Sequence, residues 1–432
     1  MNPWGKQVAG RMAVSMGGVQ ALWNPRGRSW QLNLMRDSQD PERGPGQGGR
    51  PVGLKAAEAT VELPHAVVEP HPDAEALAAL VIVRPWIGKR LVVRRGVSPA
   101  FAALVFRTFG IELSPVDDNL MPRAPGASPV LSYSAGFDSS AASVLLPEAP
   151  HLYHLRADHP KFPGDPAYQS LALARMAAAA GAHRRDVRII RADFEHLVDP
   201  YPSLPHWFGF AVGALLMSEE LDAGAIALGG TLETWYMDMG RKWTGSPPIG
   251  LGIDPLPEMV GMPIMRPTAG LTEITTLRIS TESELSGLAR SCVRGSGASP
   301  CHVCSKCIRK DLIAATVTGQ SVGQLDHLDP QGAGWKAIIG GARPLYMQAQ
   351  FEYCLARYTS PSAALDELRA ELAPNPVDTE WLDKAHRPAI GNFVPLRWQH
   401  VIQQRIGSLV EWMTPKDEAA MASFDRTTPA AT

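Results

Sequence analysis

Four thiols fall within sixteen residues of this chain: Cys292, Cys301, Cys304 and Cys307, spaced Cys-x8-Cys-x2-Cys-x2-Cys. The fifth cysteine, Cys354, stands apart. Thiolates at this spacing reach one tetrahedral ion. The expectation is a structural Zn²⁺ site that staples the span Arg294-Gly-Ser-Gly-Ala-Ser-Pro300 to a helix beginning near Cys307. Cys-x2-Cys-x2-Cys is also an iron–sulfur spacing, and that alternative stays open. Four thiolates leave no open coordination position, so metal catalysis is not expected. His302, beside the cluster, is read as a neighbour or as exposed.

A second constellation lies upstream, Ser134-Ala135-Gly136-Phe137-Asp138-Ser139-Ser140. It follows a short apolar run and opens an Ala-rich one. Gly136 lets backbone N–H groups approach an anion, and a helix N-terminus adds donors and partial positive charge. The hydroxyls of Ser134, Ser139 and Ser140 can donate to phosphate oxygens. Asp138 repels phosphate unless Mg²⁺ or the loop backbone intervenes. No Gly-Lys-Ser/Thr ending follows, so the loop is not of the Walker type. Ala135 is expected to keep φ below zero. The competing interpretation is an ordinary strand–turn–helix with Ser or Asp as cap.

Further candidates sit at predicted strand ends. Asp158 and His159 are placed to contact a nucleotide or Mg²⁺, and Gly229-Gly230 to form a phosphate-side turn. Glu233 and Asp238 could face a substrate, with surface solvation as the plainer account. Arg241 and Lys242 suit a carboxylate or pyrophosphate, and Arg266 suits a phosphate. Trp207-Phe208 and Trp235-Tyr236 could stack on a purine, though core packing explains them more simply.

The elements that must position these residues alternate. Val130–Tyr133, His151–Leu155, Val187–Ile190 and Gly224–Leu228 read as strands, and 168–180 and 207–221 as helices. That pattern predicts an α/β fold, a doubly wound parallel sheet with ligands at the strands' carboxyl ends. Upstream, Leu80–Val83 and Arg90–Arg94 read as strands, and Ser98 caps a helix to about Phe109. Downstream, 346–358, 361–372 and 395–413 read as helices. The expected division is a basic, Gly/Pro-rich flexible segment over 1–54, a small α+β domain over 55–125, the sheet domain with its cysteine site over 126–328, and a helical extension over 329–432.

With 432 residues, 45% hydrophobic and 19% charged, the chain can bury a large core. A net charge of −2 argues against a protein that coats nucleic acid. A nucleic-acid partner is left open by the local basic stretch Arg84, Lys89, Arg90, Arg94 and Arg95. No apolar run reaches the roughly 18 residues of a membrane span. The first 36 residues hold five basic and no acidic side chains, without a secretory-type core. Clustered rather than framework cysteines fit a reducing cytoplasm.

The Ser134–Ser140 loop resembles the Ser-Gly-Gly-x-Asp-Ser loop of the PP-loop ATP pyrophosphatases, with Ala135 at the second position. The cysteine spacing, following about 150 residues later, resembles the zinc signature of the 7-cyano-7-deazaguanine synthase family. Leu228-Gly-Gly-Thr-Leu-Glu-Thr234 and Met265–Leu277 are also similar to that family. The resemblance covers about residues 128–325, under half of the chain. It implies an adenine nucleotide alpha hydrolase-like fold and ATP with Mg²⁺, with Asp138 and Ser139 in catalytic positions. It further implies adenylation of a 7-deazapurine carboxylate, amide formation with ammonia and dehydration to a nitrile. Leu155-Arg-Ala-Asp158-His159 departs from the family's stretch after the second strand, and both flanks are longer than a housekeeping synthase needs. A specialised relative is therefore expected, of the kind found in anti-phage defence operons, acting on a partner protein or nucleotide. The implied partners are ATP, a small deazapurine carboxylate or a protein acceptor, and a second copy or an operon-encoded subunit. A tRNA-modifying ligase and a non-catalytic nucleotide-binding assembly subunit remain the alternatives.

Overall fold

The computed structural model describes residues 18–46, 49–147, 151–155 (as backbone), 186–200, 205–245, 254–292, 300–359, 361–372 and 377–427. Among these residues the strands are β1 (Val19–Arg26), β2 (Ser29–Met35), β3 (Arg43–Pro45), β4 (Pro51–Leu54), β5 (Glu58–Glu62), β6 (Arg90–Val97), β7 (Glu112–Val116), β8 (Ser128–Ser132), β9 (His151–Leu155), β10 (Val187–Ala192), β11 (Val198–Asp199), β12 (Ala223–Leu228) and β13 (Ile264–Met265). Ten of them form one sheet in the order β13-β12-β8-β9-β10-β5-β2-β1-β6-β7, and β11, β4 and β3 form a second.

From β13 to β10 every pairing is parallel. Numbered in chain order, these strands lie 3-2-1-4-5, and the chain reverses direction across the sheet between β8 and β12. Apolar residues line both faces. Val130 and Ile226 join a core with Val212 and Leu215, while Leu131, Ala225 and Ala227 join another with Ala141, Ala142 and Leu145. Helices therefore cover both sides, which is why these strands read as continuous apolar runs rather than alternating ones.

Three expectations need correcting. Leu80–Val83 is not a strand but the end of helix α1 (Pro72–Val83), capped by His71, whose Nδ1 accepts the Asp73 N–H at 3.2 Å. All of Asp73–Val83 is buried. A helix apolar all round has no period to read, so its β-branched end mimicked a strand. The segment expected to be flexible over 1–54 carries β1–β4 from Val19 onward, and β2 pairs with β5. The helix expected over 207–221 is a 3-10 turn, Trp207–Ala211, followed by a short α-helix, Val212–Leu216. The helix expected over 168–180 lies outside the described residues.

Other elements stand where the sequence places them. Helix α2 (Pro99–Phe109) starts at Ser98, whose hydroxyl accepts the Phe101 N–H. Glu75 of α1 accepts from Arg94 and Arg95, so those two residues of the basic stretch are neutralised within the fold. The region after residue 330 is helical, with Gln348–Leu355, Ala363–Leu372 and Leu396–Leu409 at the predicted places. It is built onto the sheet. Arg397 donates to the carbonyls of Gly126 (2.8 Å) and Gly224 (2.5 Å), and Trp398, Ile402 and Ile406 pack in the β8–β12 core. Among the described residues no helix is long and apolar enough to cross a membrane.

Arg123 ties this end of the sheet together, with bonds to Glu219 (2.6 Å), Ala223 O (2.8 Å) and Ser218 O (3.0 Å). Arg123→Met removes the side-chain donor shared by the Ala223 and Ser218 carbonyls, each of which keeps one backbone N–H, and leaves Glu219 without its partner. It should cost about 2–4 kcal/mol, read as a lower urea midpoint with unchanged slope.

Candidate functional site

The loop after β8 is shaped by its own hydroxyls. The Ser139 hydroxyl donates to Gly136 O at 3.0 Å and lies 3.1 Å from that of Ser134. Ser140 is buried, with its hydroxyl 3.3 Å from that of Tyr133, and its N–H closes the first helical turn on Gly136 O at 2.9 Å. Gly136 is the extended N-cap (φ −80°) of helix α3 (Phe137–Leu145). The N–H groups of Phe137, Asp138 and Ser139 thus fall in the first turn, where a helix has no acceptor of its own.

Ala135 corrects its expectation, with φ at +54°. The left-handed region costs an L-residue about 1–2 kcal/mol. The surroundings hold it there: its side chain is buried with Leu131 and Ala227, and its carbonyl accepts the Arg290 N–H at 3.0 Å. Gly229, after β12, backs directly onto this turn. A Cβ there would lie 2.7 Å from Ser139 N and 2.8 Å from the Asp138 carbonyl. Gly230 N–H donates to Thr268 at 3.1 Å. The structure therefore brings the Ser134–Ser140 loop and the Gly229-Gly230 turn together, at the β8–β12 reversal.

Below the loop is a charge cluster that sequence reasoning missed. Asp138 Oδ1 accepts from Thr276 Oγ1 (2.8 Å) and Lys310 Nζ (3.4 Å). Lys310, with a side chain 4% exposed, also reaches Glu273 at 3.2 Å, and Arg309 grips the same carboxylate at 3.0 and 3.1 Å. Burial opposes both charged partners here. For Lys310 the charges of Asp138 and Glu273 outweigh it and raise the ammonium above its usual range. For Glu273 the cations Arg309 and Lys310 outweigh it and hold the carboxyl well below the usual range. Glu233, also buried, accepts from the Glu273 N–H at 3.0 Å and from Gln350. It is pushed up to about 7, first by burial and then by the Glu273 charge. The one available sequence signal was Lys306 and Lys310, four residues apart and so on one face of the cysteine helix.

The cysteines meet as expected. The four Sγ atoms lie within 4.8 Å of one another, an arrangement able to hold a metal ion such as zinc. Cys304 caps the helix Ser305–Thr318 and accepts the Cys307 N–H at 3.5 Å. Cys292 Sγ accepts the Cys301 N–H at 3.3 Å. His302 stays outside the set, its Nδ1 2.8 Å from Asp311. Beside the cluster opens a cleft of about 470 Å³, lined among others by Phe137, Arg290, Ser291, Lys306 and Lys310.

The remaining candidates lie elsewhere or are engaged. Asp158 and His159 are outside the described residues. Asp238, Arg241 and Lys242 form a small hairpin tied to the chain's end: Asp238 N–H donates to Lys242 O, Arg241 lies 3.8 Å from Asp238, and Lys242 pairs with Asp425 at 2.8 Å. Arg266 is buried, bonded to Asp254 at 2.9 Å, with its guanidinium 4.3 Å from the Trp235 ring and 4.9 Å from Phe393. Trp207, Phe208 and Trp235 pack on one another, and Tyr236 stacks on Trp243 at 5.3 Å.

Residues 253–425 match the model of a family of unknown function (DUF6395). That stretch holds Glu273, the four cysteines, Arg309, Lys310 and most of the helical extension, but not the Ser134–Ser140 loop. No curated protein and no solved structure matches the chain.

Proposed function

We propose that this chain is an ATP-dependent enzyme of the PP-loop type that adenylates a carboxylate and passes the acyl group to a nitrogen nucleophile. The observation that carries the reading is the meeting of the Ser134–Ser140 loop with Gly229 at the sheet's reversal point, where parallel α/β sheets bind their ligands. In this reading the N–H groups of Phe137, Asp138 and Ser139 and the Ser134 hydroxyl hold phosphate oxygens. Lys310 and Thr276 position Asp138 by its Oδ1. Oδ2 has no partner among the described residues, so Asp138 fits a ligand of Mg²⁺, which when bound would shield phosphate charge. The four cysteines fit a structural Zn²⁺.

The chemistry balances in two steps. A substrate carboxylate oxygen attacks the α-phosphorus, the bond to the bridging oxygen breaks, and pyrophosphate leaves. The nitrogen nucleophile then attacks the acyl carbon, AMP departs, and the nitrogen loses a proton. Resemblance to 7-cyano-7-deazaguanine synthases supports a 7-deazapurine carboxylate as the acid. One observation favours a specialised acceptor such as a partner protein over ammonia. The helical extension reaches the carboxyl end of the sheet, with Gln350 on Glu233, Phe393 O on Arg266 N–H and His386 N–H on Gly270 O.

The test is release of pyrophosphate and AMP from ATP by the full chain with 7-carboxy-7-deazaguanine, alone, with ammonia and with operon-encoded proteins. Asp138→Asn should reduce the rate at least a hundredfold. Wild-type release no higher than that of Asp138→Asn under every condition would sink the assignment.

A further inference from the structure

The cysteine cluster lies next to the phosphate loop, and its thiols interleave with the cleft's polar residues. Arg290 and Ser291 immediately precede Cys292, and Lys306 lies between Cys304 and Cys307. Both arms face the phosphate loop. Arg290 N–H bonds Ala135 O at 3.0 Å, and a Cβ built on Gly136 would lie 3.5 Å from Ser291 Oγ. Lys306 is four residues before Lys310, which bonds Asp138 in the first turn of α3. These residues line one cleft of about 470 Å³, room enough for a small polyanion with its counter-ion. Three cations, Arg290, Lys306 and Lys310, line the cleft, against Asp311, which lies 2.8 Å from His302, and the sulfurs of Cys292 and Cys307. Lys306 makes no ion pair within 4.0 Å among the described residues, but it feels the charges of Asp138 and Glu273, while burial and then Lys310 draw its ammonium below the usual range.

Resting on the phosphate loop being a nucleotide site, we propose that this cleft is its pyrophosphate pocket. Arg290, Ser291 and Lys306 hold the β- and γ-phosphates, and the cysteine cluster fixes the two arms that carry them. This gives the cluster a role beyond stabilising a loop. One ion bound by Cys292, Cys301, Cys304 and Cys307 sets the distance between Arg290-Ser291 on one segment and Lys306 on another. Phosphate recognition by a pre-set lysine and arginine needs that distance held.

The test is titration calorimetry of the full, metal-loaded chain with magnesium pyrophosphate, AMP and ATP. Lys306→Gln and Arg290→Gln should each weaken pyrophosphate at least tenfold and ATP by a similar factor, with AMP affinity within twofold of wild type. Lys306→Arg should recover most of the loss. Metal content and melting temperature, measured on each variant, separate a lost contact from a lost fold, and Ser291→Ala gives a milder variant with the same expected selectivity. Pyrophosphate affinity unchanged in both cation variants, while wild type binds ATP, would overturn the pocket and leave the nucleotide site standing. Weaker AMP binding in place of weaker pyrophosphate binding would overturn it too. Lys306-dependent pyrophosphate binding without ATP or AMP binding would support the pocket and sink the nucleotide reading.

Discussion

Glu273→Gln should be among the most destabilising single changes in this protein, costing about 3–5 kcal/mol. Its carboxylate is the shared partner of Arg309 and Lys310, all three being buried. Removing the charge leaves two buried cations with Asp138 alone, at 3.4 Å from Lys310 and partly exposed. Breaking one member of such a set costs more than the set contributes, because the desolvation already spent on the others is no longer offset. Adding Arg309→Met to Glu273→Gln should therefore recover part of the loss, and a double-mutant cycle by urea unfolding measures the coupling. Unchanged stability in Glu273→Gln would show the cluster to be water-screened.

The pH dependence follows from the same carboxyl. Glu273 titrates low when folded, so its contribution is complete above its unfolded value of 4.5 and is lost as pH falls through about 2. Glu233 has the opposite sign. Its folded value of about 7 lies above 4.5, so its contribution is complete below pH 4.5 and is lost as pH rises through 7. Wild type should gain stability on acidification from pH 8 to 5 through Glu233, and Glu233→Gln should flatten that limb.

The parts of the fold that could be read were those whose signal is local. β8 and β12 are short apolar runs ended by Ser-Ala-Gly and Gly-Gly, and Ser98-Pro99 is a cap followed by a first-turn proline. The first two strands carry a legible signal as well. Trp30, Leu32 and Leu34 are buried while Gln31 and Asn33 between them are less so, a period of two. Gly27, at φ +63°, turns the chain between Arg26 and Ser29. The basic and glycine-rich composition around them suggested flexibility, and the pattern outweighed it. Helix α1 was not legible as a helix, since burial on every side erases the amphipathic period.

The site divides in the same way. The loop and the cysteines are motifs, in which spacing along the chain carries the geometry. Lys310 meets Asp138 across 172 residues, and nothing local to either residue announces the other. Arg266 looked suited to phosphate because it is an arginine near a strand end. Only the fold reveals that Asp254, Trp235 and Phe393 already occupy it.

The largest effect is expected at the cysteines. Purified without chelator, the chain should carry one zinc per chain and neither iron nor sulfide. Cys304→Ser and Cys307→Ser should each lose the metal. A structural zinc site contributes on the order of 10 kcal/mol to the structure that holds it, more than the whole stability of a typical domain. The damage should nonetheless be local. The ligands span only Cys292–Cys307, and the β8–β12 core with Leu396–Leu409 packed on it uses none of them. Hydrogen exchange should therefore quicken in 286–292, in 300–318 and in the Ser134–Ser140 turn, which Arg290 holds through Ala135 O, while β6, β8 and β12 keep their protection. Cys354→Ser serves as the control for thiol loss, since that residue is buried among Phe351 and Leu355 away from the cluster. Global unfolding of Cys304→Ser would show that the metal holds the whole molecule. Iron and sulfide in place of zinc would replace a staple with a redox or sulfur-transfer centre. The Cys304 thiol, drawn down chiefly by its hydrogen bond with the Cys307 thiol, stands at a helix N-terminus that favours a thiolate ligand for either metal. Metal analysis therefore decides between them.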